Sequence, residues 1–205
     1  SNFFPGQELV LSFRQKKEGV LSVGGDVYPN TDFALIQETL PFLSTLSPFT
    51  HTVTAQGGLE PLADQAMVDA ARAMGVRPLL HLSNLGRDGE FSSERIHTIL
   101  TDGAVQNRLL SSILTVYRQN GYRGADLDFE FIPREDAQAY AQFTARLREL
   151  LNPLGGIVLV DLPPKTSAAQ RGALYEGHDY RLLGDAADYV FLMTYEWGYT
   201  YHHKR

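Results

Sequence analysis

In the stretch GYRGADLDFEFIP, residues 121–133, three carboxylates fall at alternate positions: Asp126, Asp128 and Glu130. Leu127, Phe129 and Phe131 occupy the positions between and after them. Strict alternation marks a β-strand, because successive side chains leave opposite faces. The acids therefore share one face, about 6.5 Å apart along the strand, and the apolar set takes the other. If the acidic face is dry, repulsion and desolvation raise at least one pKa. The row then shares protons and ends in a group able to act as a general acid near neutral pH. Two other readings of the same residues stay open. One is a strand with a wet face, where the acids meet water. The other is a divalent-cation site built from clustered carboxylates, although no H-x-H or other histidine pair accompanies them.

What surrounds this strand decides how dry its faces are. Apolar patterning with turn residues gives strands at 19–30, 47–55, 76–84, 121–133, 156–164 and 188–197. Helical spacing falls at 31–43, 62–75, 92–121 (as one or two helices), 134–152 and briefly within 178–187. Thr31 or Asp32 is placed to cap the first helix and Asp102 a later one, and Gly75 and Gly121 are placed to stop helices. Segments 157–160 and 189–193 are apolar on both faces, as in a parallel sheet covered by helices. An open doubly wound sheet and a (β/α)8 TIM-type barrel both fit this rhythm. The dinucleotide fingerprint is absent, since SVGGDVYPN does not match G-x-G-x-x-G. The expected fold is an α/β chain of the (β/α)8 TIM-type barrel class that stops after its sixth strand, on YHHKR. A full barrel runs to about 250 residues. Two parallel edges are then unpaired, and self-association through those edges is expected. In such a barrel the chemistry sits at the C-terminal ends of the strands, which makes Glu130 the proton donor and Asp128 and Asp126 its support.

Composition narrows the partners. The 205 residues carry a net charge of −6 with 18 basic residues and no basic block, which argues against nucleic acid. There is no cysteine, so disulfides and thiolate metal sites are excluded. No apolar run reaches the length of a membrane span. The chain begins Ser1-Asn2 without Met, which reads as a processed or trimmed end. The domain reading is a linker or tail over residues 1–18 and one catalytic domain over 19–205.

The segment RGADLDFE, residues 123–130, resembles the D-G-x-D-x-D-x-E signature of glycoside hydrolase family 18. Gly124, Asp126, Asp128 and Glu130 match in register, and Arg123 stands where the signature has its first Asp. The segments PKTSAAQRGALYEGHDY, VFLMTYEWGYTY and TVTAQGGLEPLADQAMVDAARAMGVRPLLHLSN are similar to the spore-cortex and spore-germination N-acetylglucosaminidases within that family. PGQELVL resembles the end of a LysM peptidoglycan-binding module. The resemblance implies a retaining glycosidase that hydrolyses β-linked N-acetylglucosamine glycans, in peptidoglycan or chito-oligosaccharide, through the substrate's own acetamido oxygen. It implies no cofactor and no metal. Glu130 protonates the leaving oxygen, Asp128 orients the acetamido group, Asp126 supports Asp128, and Tyr195 donates its hydroxyl to the acetamido group. MTYEW matches the strand-six motif Met-x-Tyr-Asp and makes Met193 and Glu196 substrate-binding, with Glu196 in place of the commoner Asp. Trp197, the only Trp, either stacks on a sugar face as a substrate-binding residue or packs in the core beside the strand end. Tyr28, at the end of the first strand, reads either as a substrate-binding residue at the same mouth or as a plain turn aromatic. His81 and Asn84 are expected to hydrogen-bond structurally, and His178 to fix a loop. The implied location is the spore coat or cortex, or the extracellular cell wall. Two alternatives remain: a catalytically silent glycan-binding protein on the same fold, and a metal-dependent hydrolase.

Overall fold

The computed structural model describes residues 24–28 and 30–194. Eight short strands and six α-helices alternate along them. In chain order these are β1 (Gly24–Val27), α1 (Phe33–Thr39), β2 (Thr45–Pro48), β3 (His51–Thr52), α2 (Gln65–Ala73), β4 (Arg77–Pro78) and β5 (Leu80–Ser83). Then follow α3 (Ser93–Thr101), α4 (Gly103–Asn120), β6 (Gly124–Asp128), α5 (Ala137–Leu151), β7 (Ile157–Leu162), α6 (Tyr180–Ala186) and β8 (Tyr189–Leu192).

Every ladder is parallel, in the orders β1-β2-β4 and β3-β5-β6-β7-β8. The two groups are parts of one run. β2 and β3 are separated by Phe49 and Thr50, which are joined by a cis peptide. β4 and β5 are separated by Leu79 alone, whose N–H donates to Leu46 O at 2.8 Å. The second and third strands of the sequence reading are therefore each broken in two. The result is six strand positions in chain order, the arrangement of consecutive staves in a βα barrel.

Local chemistry sets the helix limits. Asp32 caps α1 by accepting from Ala34 N, and Asp102 caps α4 by accepting from Ala104 N and Val105 N. Gly121 ends α4 at φ 83°, the left-handed conformation that glycine adopts without a Cβ clash. Segment 92–121 divides into two helices because Asp102 is extended, at ψ 107°. The helix-facing side of the sheet holds the main core, where Leu127 and Phe129 pack fully buried in one cluster with Leu109, Ile113, Tyr140 and Phe143. His51, Asp64 and Tyr122 add a buried polar tie: the Tyr122 hydroxyl donates to Asp64, and His51 Nε2 lies 3.1 Å from it.

β8 departs from the sequence reading, which covered both of its faces. Tyr189, Val190 and Leu192 are 49, 46 and 46% exposed. Its inner neighbour is β7, and among the described residues no strand pairs with its other edge.

Candidate active site

Burial on β6 follows its alternation. Leu127 and Phe129 enter the helix-facing core, while Asp126 and Asp128, 2 and 5% exposed, face the other way and are equally dry. The wet-face reading of these two acids is thereby excluded. Ser47, from β2, donates its hydroxyl to Asp126 Oδ2 at 2.5 Å. The register sets His81 opposite Asp126 and Ser83 opposite Asp128.

Glu130 departs from the sequence reading in one respect. β6 stops at Asp128, so Glu130 lies two residues past the strand and is half-buried. Side chains from other segments fix its backbone in place of a ladder. Asn84 Oδ1 accepts from Glu130 N and Asn84 Nδ2 donates to Glu130 O, both at 2.9 Å. One residue earlier, Phe129 O lies 2.8 Å from Nε2 of the buried His178. Burial pushes the His178 pKa down to about 4, so its imidazole is neutral and this bond is an N–H donation to the carbonyl. The Lys165 ammonium in turn donates to His178 O. One residue later, Phe131 turns to φ 54° and its carbonyl accepts from Ser93 Oγ at 2.8 Å. Its ring therefore does not continue the apolar face, as the alternation predicts, but sits half-buried 6.1 Å from Phe91. β6 has already ended when the left-handed turn at Phe131 redirects that side chain.

Two further side chains reach the row from strands distant in sequence. His81 on β5 and Asp161 on β7 are 1 and 3% exposed, with His81 Nε2 and Asp161 Oδ2 3.9 Å apart. His81 Nδ1 meets Thr50 Oγ1 at 2.7 Å. Burial first, and His51 second, push the His81 pKa down to about 3, so the ring is neutral. One ligand atom from each of His81, Asp128 and Asp161 lies within 4.8 Å of the others, a set able to hold a divalent cation. Sequence spacing gave no sign of this group, because its members come from three strands. Asp161, a lone acid in the apolar run GIVLVDLPP, was the available signal, and His81 makes the structural hydrogen bond the sequence suggested, to Thr50. Ser47 carried no signal of its own.

The expected mouth residues divide into two groups. Tyr28, 62% exposed, follows β1, and its ring stands 5.1 Å from Phe49, which stands 4.9 Å from His81. Met193 follows β8 and donates its N–H to Leu162 O at 3.0 Å, at the same ends of the strands. Tyr195, Glu196 and Trp197 lie outside the described residues, as does segment 1–18.

Parallel βα staves with a buried D-x-D row and a glutamate at its exit define a βα-barrel scaffold with an acidic site at the C-terminal ends of its strands. Residues 80–203 match Glycosyl hydrolases family 18, and the chain belongs to that family. It is 36% identical over 166 residues to the cortical fragment-lytic enzyme of Bacillus subtilis (strain 168), a match spanning 80% of this chain and 38% of that protein. The crystal structure of the Bacillus cereus spore cortex-lytic enzyme SleL superposes with a TM-score of 0.82 at 30% identity, over 89% of this chain and 44% of that one. A chitinase from Chromobacterium violaceum shares the fold, with a TM-score of 0.78 at 19% identity over 87% of this chain and 57% of that one. The chain spans less than half the length of the curated relatives it matches.

Proposed function

We propose that this chain carries the catalytic row of a retaining glycosidase that cleaves β-linked N-acetylglucosamine glycans of the peptidoglycan or chitin type. The observation that carries this reading is the pairing of a dry Asp126–Asp128 couple with Glu130, held at the strand exit by Asn84. Glu130 is half-buried, which suits a group that must meet a glycosidic oxygen. Its backbone is fixed from both sides, so its carboxyl needs little reorganisation before it delivers a proton. Asp128, with little water around it, acts on the acetamido group, whose oxygen attacks the anomeric carbon as the leaving oxygen takes the Glu130 proton. Asp126, bonded by Ser47, holds Asp128 in its working protonation state. Water then opens the oxazolinium, with Glu130 as base. Tyr195, Met193, Glu196, Trp197 and Tyr28 serve as glycan-contacting residues. The names of two relatives, a cortical fragment-lytic enzyme and a spore cortex-lytic enzyme, support the spore cortex as the setting of this activity.

The test follows the anomer released from N-acetylglucosamine oligomers by proton NMR in the first minutes. The reading predicts the β-anomer, unaffected by chelator, and initial release of the α-anomer overturns it. His81, Asp128 and Asp161 give the second reading, metal-dependent hydrolysis, its specific basis. Activity lost to chelator and restored by a divalent cation would favour it.

A further inference from the structure

The end of the sheet opposite the carboxylate row carries charges for which the glycosidase reading has no use. Where α2 ends and strands β4 and β6 begin, a concavity of about 530 Å³ is lined by Asp69, Arg72, Gly75, Val76, Arg77 and Arg123. The three arginines are exposed, and among the described residues none of them forms an ion pair. Asp69, the acid in the same wall, is engaged by Gln65 Nε2 at 3.0 Å instead. Three guanidinium charges against one carboxylate leave two positive charges here, in a chain of net charge −6.

The group is held in place. The Arg72 guanidinium lies against Gly121, where an added Cβ would come within 2.5 Å of its Nη1. Arg123 Nη1 donates to Tyr122 O at 3.3 Å. Burial pushes the Tyr117 hydroxyl pKa up, the nearby Arg123 and Arg77 charges pull against that shift, and the hydroxyl has no hydrogen-bond partner among the described residues. Arg72 also faces the negative end of α2, which accounts for one arginine. Arg77 opens β4 and Arg123 immediately precedes β6.

We infer that this concavity is an anion site for a phosphate group, separate from the glycan site. A guanidinium matches carboxylate or phosphate oxygens in a two-pronged fork. A carboxylate offers two oxygens and one charge. A phosphate group offers the two charges that balance this pocket and enough oxygens to engage three forks. The group arrives either as free phosphate or as a phosphate ester on a sugar or polymer.

The test is calorimetric titration at low ionic strength with inorganic phosphate and, separately, glycerol phosphate, with acetate and chloride as controls. Saturable phosphate binding is expected, weaker by about tenfold or more in Arg77→Gln/Arg123→Gln. It is expected to be unchanged in Glu130→Gln and to weaken as salt rises. Glycerol phosphate binding as well as phosphate assigns the site to an ester, and binding of phosphate alone assigns it to the free ion. Phosphate no better than acetate, or a double variant that binds as the parent does, overturns the proposal. Both arginines are exposed, so the variant keeps the core, and a matching thermal midpoint verifies that it is folded.

Discussion

Each residue of the acidic row does what its surroundings allow. Asp126 and Asp128 are dry and Glu130 is half-buried, so the two aspartates are suited to hold and the glutamate to transfer. Asp128→Asn keeps the shape and removes the charge, and is expected to lower turnover by about 10²–10³-fold, the scale of a lost electrostatic stabiliser. Steady-state rates on a chromogenic N-acetylglucosaminide check this. His178 predicts a pH effect on stability. Its folded pKa of about 4 lies below the usual 6.5, so the unfolded chain binds the extra proton between those values. The contribution is complete above pH 6.5 and is lost as pH falls toward 4, at about 1.4 kcal/mol per pH unit. Urea midpoints across that range are expected to fall less steeply in His178→Gln, which keeps a donor for Phe129 O and has no proton to gain.

At the scale of elements, the alternation of β6 was legible because it is a local, strictly two-residue pattern. Its end was not. The backbone around Glu130 is held by Asn84, Ser93 and His178, which come from other segments, and it is followed by a positive φ at Phe131 that no residue type announced. Caps were legible for the same reason the strand was, since Asp32, Asp102 and Gly121 act within their own turn. Asp161 and His81 joined the row through sheet register, which patterning along a single segment does not specify. The exit can be tested directly. Asn84→Ala strips both bonds from the Glu130 backbone and is expected to cost about 1–3 kcal/mol in stability. The loop holding His178 packs just as tightly: a Cβ at Gly177 would lie 2.2 Å from Ile132 O. Gly177→Ala is therefore expected to destabilise by about 1–3 kcal/mol, read from denaturant unfolding.

At the scale of the molecule, six parallel βα positions were legible from hydrophobic rhythm, and the family match agrees with them. Rhythm could not show that β8 keeps about half of each of three apolar or aromatic side chains in solvent. Together with an unpaired parallel edge among the described residues, that surface predicts self-association of the 205-residue polypeptide. Sedimentation velocity over a concentration series is expected to show a rising weight-average mass, and a mass fixed at 22.8 kDa would count against it. The central claim remains that Glu130 is the proton donor of a glycosidase. Its most direct test is release of soluble products from peptidoglycan fragments and N-acetylglucosamine oligomers, by the protein beside its Glu130→Gln variant. The account predicts release by the parent and a loss of about 10²–10⁴-fold in the variant, with folding retained. Release by the variant at the parent's rate would contradict it.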